Sequence, residues 1–361
     1  MLSKPGPLPE GAKWLYEPKW DGFRALIWKS GDEIYIQSRD QKPLGRYFPE
    51  LEVTLRRELP ERCVLDGEIV IATGGRLDFD ALLLRIHPAA SRVQLLAEQS
   101  PASYVTWDLL ALGDEDLRAT SQGERRERLV RALEHAKPPV HVTPATRDPA
   151  VARSWFQRFE GAGLDGVIAK PDDLPYTPGK RLMTKIKHQR TADCIVGGFR
   201  WYKGGREKLV GSLLLALYDD DGTLHHIGVT SAFKAETRAE LAELLRPLRE
   251  GAMETHPWRD WAAFQAAAAS PETESTSEST IEAAPTRRVP GATSRWNRGK
   301  DLSWVPIKLG LICEVSYDHM QGTRFRHAAH FKRWRPDKAL TDCRYDQLEV
   351  TPAFELAQIF G

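Results

Sequence analysis

The sequence has few cysteines and no long apolar segment. Its four cysteines, at positions 63, 194, 313 and 343, lie far apart and form no CxxC pair, so neither a disulfide framework nor a zinc site is expected. No apolar run approaches the roughly 20 residues that span a bilayer, and the first residues lack the apolar core of a secretory signal. These absences predict a cytoplasmic protein with reduced thiols and no membrane association.

The chain also has almost no net charge. The 51 Lys and Arg residues oppose 50 Asp and Glu residues, which gives a formal net charge of +1. Global charge therefore does not indicate a polyanionic partner, and binding to nucleic acid would have to come from local basic clusters. With 361 residues, 41% of them hydrophobic and 28% charged, the chain is expected to form two globular domains.

The first part of the chain mixes strand and helix patterns. An apolar run that starts at Phe23 ends at a Lys-Ser-Gly-Asp turn, and alternation then continues to Arg39, which predicts a hairpin. Further short strands are predicted at 64–71 and 104–110. With helical patterns between these strands, the sequence predicts an α+β domain over residues 1–189.

The second part of the chain shows mainly strand patterns. Strand patterns at 193–199, 209–218 and 225–230 are separated by Gly- and Asp-rich turns, which predicts a small β-barrel within a second domain, residues 190–361. Residues 266–294 are rich in Ala, Ser, Thr and Glu and contain almost no large apolar side chain. This composition predicts a disordered insertion inside the second domain.

The candidate nucleophile is Lys19, in the segment EPKWDGFR that begins at Glu17. A lysine between carboxylates and before a glycine occurs at least as often in an ordinary surface turn as at an active site. This segment alone is therefore weak evidence for a nucleophile. A free lysine titrates near about 10.4, so most of it is protonated at neutral pH. We therefore expect Lys19 to become an amine mainly when a nucleotide and a metal are bound.

Acids and cations recur in other short segments. Asp66-Gly67-Glu68 places two carboxylates near one turn, and a strand over 165–170 begins with Asp165 and ends with a lysine. Lys185 and Lys187 are two residues apart on a predicted strand and share a face, which suits either one phosphate or a solvated strand. Nucleotidyl transfer needs such a set, because its catalysis is mostly positioning and charge stabilisation.

Six segments occur in a fixed order: KWDGFR (19–24), QSRD (37–40), LDGEIV (65–70), YVTWDLL (104–110), DGVIAK (165–170) and MTKIKH (183–188). They resemble the successive motifs of the covalent nucleotidyltransferases, the superfamily of DNA ligases, RNA ligases and mRNA capping enzymes. FRHAAHFKRWRPDK (325–338) resembles the last motif, which the family carries on its OB-fold. The resemblance implies an α+β fold: a nucleotidyltransferase domain of antiparallel sheets and helices, then a C-terminal OB-fold β-barrel.

The resemblance also implies a role for each matching residue. Lys19 would attack the α-phosphate of ATP, giving lysyl-AMP and pyrophosphate. Trp107 would stack on the base, Glu68 and Asp165 would hold a divalent metal (Mg²⁺ or Mn²⁺), and Arg39 would also sense the 5′-phosphate of a nick. The implied ATP-binding residues are Glu17, Arg24, Arg39, Glu68, Trp107, Lys185, Lys187, Arg333, Arg335, Asp337 and Lys338.

Two positions depart from the family pattern. Asp165 stands where the family usually has the longer glutamate, which leaves the metal geometry in doubt. Trp107 stands where Phe or Tyr is commoner, and indole keeps a face on which a base can stack. An ordinary core aromatic is the alternative interpretation of Trp107.

A basic cluster follows the nucleotidyltransferase motifs. The segment FRWYKGGREK (199–208) mixes cations, aromatic residues and glycines. Arg200, Lys203 and Arg206 are predicted to bind DNA phosphates with little recognition of the base sequence. A solvated face of the barrel is the alternative.

The two-domain organisation, without added modules, is similar to that of the small bacterial ATP-dependent DNA ligases used in repair. The resemblance predicts a monomer that seals nicks in double-stranded DNA, acting at the nucleoid, with repair partners that the sequence does not identify. An RNA ligase, a capping-type nucleotidyltransferase and a catalytically inactive nucleic-acid-binding relative remain the alternatives.

Overall fold

The computed structural model describes residues 1–11, 13–188, 190–259, 303–348 and 354–360. The predicted insertion at 266–294 lies outside these residues. Contacts within the chain define two units: Met1–His188 together with Thr351–Gly361, and Gln189–Val350.

Two β-sheets form the framework of the first unit. Its strands are β1 (Leu2–Pro5), β2 (Trp14–Pro18), β3 (Phe23–Ser30), β4 (Glu33–Ser38), β5 (Arg62–Val70), β6 (Ala72–Thr73), β7 (Arg76–Leu77), β8 (Ser103–Leu112), β9 (Glu115–Asp116), β10 (Val140–Val142), β11 (Val167–Pro171) and β12 (Arg181–Ile186). One sheet has the order β1-β12-β11-β2, the other has the order β10-β8-β5-β3-β4 with β9 beside β8, and β6 and β7 form a separate two-stranded sheet. The predicted hairpin is confirmed as β3–β4, and the predicted strands at 64–71 and 104–110 correspond to β5 and β8.

Helices contribute apolar side chains to the core of the larger sheet. They are α1 (Pro49–Glu58), α2 (Phe79–Leu84), α3 (Ala90–Gln99), α4 (Gln122–Ala132) and α5 (Pro149–Arg158). Leu51 and Leu55 of α1 and Leu129 of α4 are buried in one cluster with Ile27 and Leu65 of the sheet. Three helices begin at residues whose side-chain oxygens accept a hydrogen bond from the first turn, as polar N-caps do: Asp78, Ser121 and Asp148.

A closed β-barrel forms the second unit. Its strands are β13 (Arg190–Trp201), β14 (Val210–Tyr218), β15 (Leu224–Thr230), β16 (Val305–Pro306), β17 (Ile312–Tyr317), β18 (Met320–Gln321), β19 (Arg324–Phe325) and β20 (His330–Trp334). Five of them follow the order β15-β14-β13-β17-β20, with β16 beside β13. The two outer strands meet where Thr230 bridges Ala329 and its hydroxyl accepts a hydrogen bond from the Phe331 amide at 3.1 Å. This closure agrees with the expected OB-fold, and the predicted α+β architecture is confirmed.

The barrel core is filled from the predicted strands β13 and β14 and from β17, which the sequence analysis did not predict. Val196, Leu215 and Val315 are fully buried. Among the residues of this unit that the structure describes, two α-helices also occur, α6 (Ala235–Leu245) and α7 (Ala252–Thr255). Leu241 and Leu245 of α6 join the same apolar core.

The last described residues, which include α8 (Ala357–Phe360), pack with the first unit. The Leu356 amide donates a hydrogen bond to the Gly75 carbonyl at 2.7 Å, and the ring of Phe354 lies 5.4 Å from that of Phe159. The predicted second domain, 190–361, therefore differs from the structure at its end, because these apolar side chains are buried against the first unit.

The four cysteines are free and buried. In the part of the chain that the structure describes, no helix combines the length and the apolar character needed to cross a membrane.

Candidate active site

A cavity of about 240 Å³ in the first unit is lined by residues from both of its sheets. The sequence-predicted residues in its wall are Glu17, Lys19, Arg24, Arg39, Glu68 and Trp107. The other lining residues are Met1, Leu2, Ser3, Pro18, Trp20, Ile168, Lys170 and Met183. The wall thus combines cations, two tryptophan side chains and two carboxylates.

Backbone hydrogen bonds fix the position of Lys19. Its amide donates to the carbonyl of Gly166 at 2.8 Å, and the amide of Asp165 donates to the carbonyl of Lys19 at 2.9 Å. Gly166 has a φ of +127°, and a Cβ there would lie 2.1 Å from the carbonyl oxygen of Ile186. Only glycine fits this turn, and the turn therefore holds the two motifs together.

Asp165 joins two of the predicted lysines. Its Oδ2 lies 2.5 Å from Nζ of Lys19 and 3.2 Å from Nζ of Lys187, while its side chain is only 4% exposed. Lys185 lies on β12 two residues after the cavity-lining Met183, and therefore on the same strand face. Among the described residues, Asp165, Lys185 and Lys187 are not part of the cavity wall itself.

Arg24 is held by a carboxylate that the sequence analysis did not assign to the site. Its Nε and Nη2 donate to the two oxygens of Asp66 at 2.9 and 2.6 Å, and its Nη1 donates to the carbonyl of Met1 at 2.6 Å. The Tyr176 hydroxyl also donates to Asp66, at 3.0 Å. Burial alone would lower the pKa of Arg24, but the Asp66 carboxylate outweighs burial and raises it, so the guanidinium stays charged.

Glu68 lies where β5 passes close to the Lys19 loop. Its Oε1 accepts a hydrogen bond from the amide of Gly22 at 3.1 Å. A Cβ on Gly22 would lie 2.2 Å from the carbonyl oxygen of Ile69, so this approach requires glycine. Burial raises the pKa of Glu68 to about 7, against the opposing influence of Lys19 and Arg24. Glu68 therefore changes charge near neutral pH.

A buried ion pair lies beside Trp107. Nζ of Lys170 is 2.7 Å from Oε2 of Glu17, and the two side chains are 4% and 3% exposed. The same ammonium lies 5.8 Å from the centre of the Trp107 ring, and the guanidinium of Arg24 lies 6.0 Å from it. In the described structure, Oε1 of Glu17 is buried and accepts no hydrogen bond. Because the group lines the cavity, it offers an acceptor to a bound ligand.

Lys170 was missed as a site residue, although a signal for it existed. Ile168 and Lys170 both line the cavity and are two residues apart on β11, so strand alternation places them on one face. Met183 on β12 lines the same cavity. The sequence pattern did not reveal that β11 pairs with β2. This pairing places Ile168 opposite Glu17.

The remaining predicted residues belong to the second unit. Arg200 lies on β13, and Lys203 and Arg206 are exposed on the turn that follows. Arg333 lies on β20, and Arg335, Asp337 and Lys338 come directly after it, with Arg335 hydrogen-bonded to Asp337. The structure therefore brings the four residues of the last motif together.

The cavity residues fit a nucleotide. An indole face and an unpaired carboxylate oxygen suit a purine base, and Lys19 and Arg24 suit phosphate oxygens. Glu68 and the nearby Asp165 supply carboxylate oxygens, the donors that Mg²⁺ and Mn²⁺ prefer. Chemically, the arrangement combines an amine, acids for a metal and cations for leaving phosphates.

Comparisons with known proteins agree with this chemistry. The family "ATP dependent DNA ligase domain" matches residues 8–187, and "ATP dependent DNA ligase C terminal region" matches residues 206–338. The chain is 52% identical to DNA ligase C2 of Mycolicibacterium smegmatis, over 98% of this chain and 94% of that protein. It is 49% identical to DNA ligase C of Mycobacterium tuberculosis, over 95% of this chain and 92% of that protein.

A solved structure is similar in fold. It is described as "DNA binding with a minimal scaffold: Structure-function analysis of Lig E DNA ligases". The TM-score is 0.52 at 15% sequence identity, over 90% of this chain and 93% of that chain.

Proposed function

Because this chain belongs to the ATP-dependent DNA ligase family, we propose that it seals nicks in duplex DNA through an AMP adduct on Lys19. One observation carries the assignment of the nucleophile: the Lys19 side chain lies in the wall of the nucleotide-sized cavity, in contact with Asp165. The enzyme uses ATP and a divalent metal, as the family does.

The first step forms a bond from Nζ of Lys19 to the α-phosphorus of ATP, and the bond to the bridging oxygen breaks as pyrophosphate leaves. Lys19 must first lose to solvent a proton of the ammonium that donates to Asp165 in the structure. A divalent metal held by Glu68 and Asp165 would neutralise charge on the phosphates. Arg24, Lys185 and Lys187 act as cations on the α-phosphate.

The second and third steps return the enzyme to its starting state. An oxygen of the 5′-phosphate at the nick attacks the adduct, and the electron pair of the breaking P–N bond returns to Nζ of Lys19. The 3′-hydroxyl then attacks the 5′-phosphorus and loses its proton to solvent, and the bond from that phosphorus to the oxygen of AMP breaks as AMP leaves. Arg39, which lines the cavity, binds the 5′-phosphate.

The base is read at the Glu17–Lys170 end of the cavity. The free oxygen of Glu17 accepts a hydrogen bond from the exocyclic amino group of adenine, and Trp107 supplies a stacking face. Guanine presents a carbonyl at the corresponding position, which would meet the Glu17 carboxylate unfavourably. ATP is therefore the expected donor rather than GTP.

The DNA duplex is bound mainly through phosphates. Arg200, Lys203 and Arg206 contribute cations on the barrel, and such contacts carry little sequence information. The curated relatives are DNA ligases, which favours nicked DNA over the RNA ends of an RNA ligase or capping enzyme. We further propose a monomer that acts in DNA repair at the nucleoid.

A sealing assay tests the proposal. A singly nicked duplex is incubated with the enzyme and ATP, and in parallel with GTP or with a ribonucleotide at the 3′ end of the nick. We expect ATP-dependent sealing of the DNA nick and little product with GTP. In the same assay with radiolabelled ATP, an enzyme that becomes labelled with AMP but seals only nicks in RNA would be an RNA ligase. An enzyme that does not become labelled would be an inactive relative.

A further inference from the structure

Tyr176 lies on the loop between β11 and β12, outside the six segments that the sequence analysis identified. Its hydroxyl donates a hydrogen bond to Oδ2 of Asp66 at 3.0 Å and accepts one from Nη2 of Arg24 at 3.4 Å. The same Asp66 oxygen also accepts from Nη2 of Arg24, at 2.6 Å. Three polar groups therefore meet at one point beside the cavity, and no step of the reaction described above uses the tyrosine.

The carboxylate of Asp66 lies where water does not replace a lost hydrogen bond. Its side chain is 1% exposed, whereas that of Arg24 is 23% exposed. Burial alone would raise the pKa of Asp66, but the Arg24 guanidinium outweighs burial and lowers it, so the carboxylate stays charged. Burial and the charge of Asp66 raise the pKa of Tyr176, so its hydroxyl remains a donor. A buried carboxylate that loses such a donor is left incompletely hydrogen-bonded, which is costly.

The hydrogen bonds of Arg24 determine what it can offer to a ligand. Its Nε and Nη2 donate to Asp66, Nη2 also donates to Tyr176, and Nη1 donates to the carbonyl of Met1. Each terminal nitrogen of a guanidinium carries two hydrogens in one rigid plane. Among the described residues, these contacts leave the second hydrogen of Nη1 for a ligand in the cavity that Arg24 lines. The direction of that hydrogen is set by the groups that fix the plane.

The loop that carries Tyr176 is itself held by a buried ion pair. Arg125 of α4 donates to the carbonyl of Leu174 at 3.1 Å, and its guanidinium carbon lies 5.8 Å from the centre of the Tyr176 ring. Arg125 also donates to the two oxygens of Asp108 at 2.7 and 3.1 Å, and these two side chains are 0% and 1% exposed. The tyrosine therefore reaches Asp66 from a fixed support.

We propose that Tyr176 is a positioning residue for self-adenylation: its hydroxyl fixes the Asp66–Arg24 pair, and the fixed guanidinium directs its remaining hydrogen at the α-phosphate of ATP. The inference rests on the proposed function, in which Arg24 is a cation on that phosphate. Tyr176 touches neither substrate nor reacting atoms and acts through Asp66 and Arg24.

The first experiment removes one oxygen atom. Single-turnover formation of enzyme–AMP is measured over a range of ATP concentrations for the wild type and for Tyr176→Phe, which keeps the ring over Arg125. We expect the maximal rate constant to fall about tenfold or more, the effect of losing a hydrogen bond to a charged group. The ATP concentration for half-maximal rate should change less than about threefold, because charge on the α-phosphate develops in the transition state. Tyr35→Phe, at a tyrosine that is 44% exposed on β4, is the matched control and should behave like the wild type.

A second experiment tests the route through Arg24. Arg24→Lys keeps a positive charge but cannot form the two-point pair with Asp66. If the tyrosine acts through the guanidinium, Tyr176→Phe added to Arg24→Lys should slow enzyme–AMP formation less than about twofold further. A purely structural role would instead give the same loss in both backgrounds, and a loss of folded enzyme would lower the labelled fraction without changing the rate constant.

Three outcomes would overturn the inference: an unchanged rate constant in Tyr176→Phe, a change in the ATP requirement alone, or equal losses with and without Arg24. If Tyr176→Phe also lowers the melting temperature, the comparison in the Arg24→Lys background decides, measured well below both melting temperatures. Normal labelling by Tyr176→Phe refutes this inference alone, whereas labelling that persists in Lys19→Ala would refute the proposed function.

Discussion

Nζ of Lys19 lies 2.5 Å from Oδ2 of Asp165, inside a turn that only glycine at position 166 allows. The contact stabilises the charged ammonium, whereas attack on phosphorus requires the neutral amine. Asp165 must therefore exchange Lys19 for another partner before the first step. A divalent metal, which Asp165 and Glu68 would hold according to the proposed function, would supply that partner and so couple the release of Lys19 to nucleotide binding.

Replacing Asp165 by Asn should lower the rate of enzyme–AMP formation by about 100-fold or more, since one charge-stabilising group in an active site is worth that much. The variant loses the counterion that Lys19 and Lys187 share, and with it the metal ligand that we propose for this position. The measurement is single-turnover labelling at saturating ATP and metal. Asp32→Asn, on the exposed β3–β4 turn, serves as the control, and wild-type labelling by the Asp165 variant would contradict the assignment.

Self-adenylation should depend on pH through Glu68. Its pKa is raised to about 7 by burial, so the charged carboxylate that we propose as a metal ligand forms only as pH rises through this value. Because kcat/KM reports the free enzyme, kcat/KM for ATP should increase with pH and level off above about 7. Glu68→Gln should be slow and should lack this ascending limb. A wild-type profile that stays flat from acid to neutral pH would show that Glu68 is not the controlling group.

The Glu17–Lys170 pair gives a prediction for stability as well as for binding. Truncating either residue to Ala leaves a buried charge unpaired, which should cost about 3–5 kcal/mol of unfolding free energy. The double variant Glu17→Gln/Lys170→Met removes both charges and should recover most of that loss. It should still bind ATP weakly and discriminate poorly against GTP. Denaturant unfolding and nucleotide titration measure the two effects, and tight, selective ATP binding by the double variant would exclude a role in reading the base.

Much of the site could be predicted from the sequence because its residues lie in short strand–turn segments that occur in a fixed order. Lys19, Arg24, Glu68 and Trp107 were identified in this way, and the structure places all four at one cavity. Lys170 was not predicted as a site residue, because its burial depends on the pairing of β11 with β2. These two strands are far apart in the sequence.

Tertiary contacts also decided other features. Asp66 anchors Arg24 only because β3 and β5 are neighbours, and Leu26 lies opposite Asp66 in that pairing. Leu356 and Ile359 follow the barrel in sequence but are buried in the first unit. Local periodicity carries no information about which unit such a terminal segment joins.

The basic residues on the barrel predict a salt-dependent affinity for nicked DNA. Replacing Arg200, Lys203 and Arg206 by Ala should weaken binding, and the slope of log K against log salt should fall by about 1 for each DNA phosphate that is no longer neutralised. Arg131→Ala, on the exposed side of α4, removes one cation elsewhere and is the control. An unchanged slope in the triple variant would mean that these residues do not bind phosphate. Binding is measured with a nick that cannot be sealed.

Mapping the AMP adduct tests the central claim most directly. The protein is incubated with labelled ATP and metal, digested, and analysed by mass spectrometry, with Lys19→Ala and Lys170→Met in parallel. The account predicts one AMP on the peptide that contains Lys19, its loss in Lys19→Ala, and a reduced amount of the same adduct in Lys170→Met. AMP on another residue, or labelling that persists in Lys19→Ala, would contradict it.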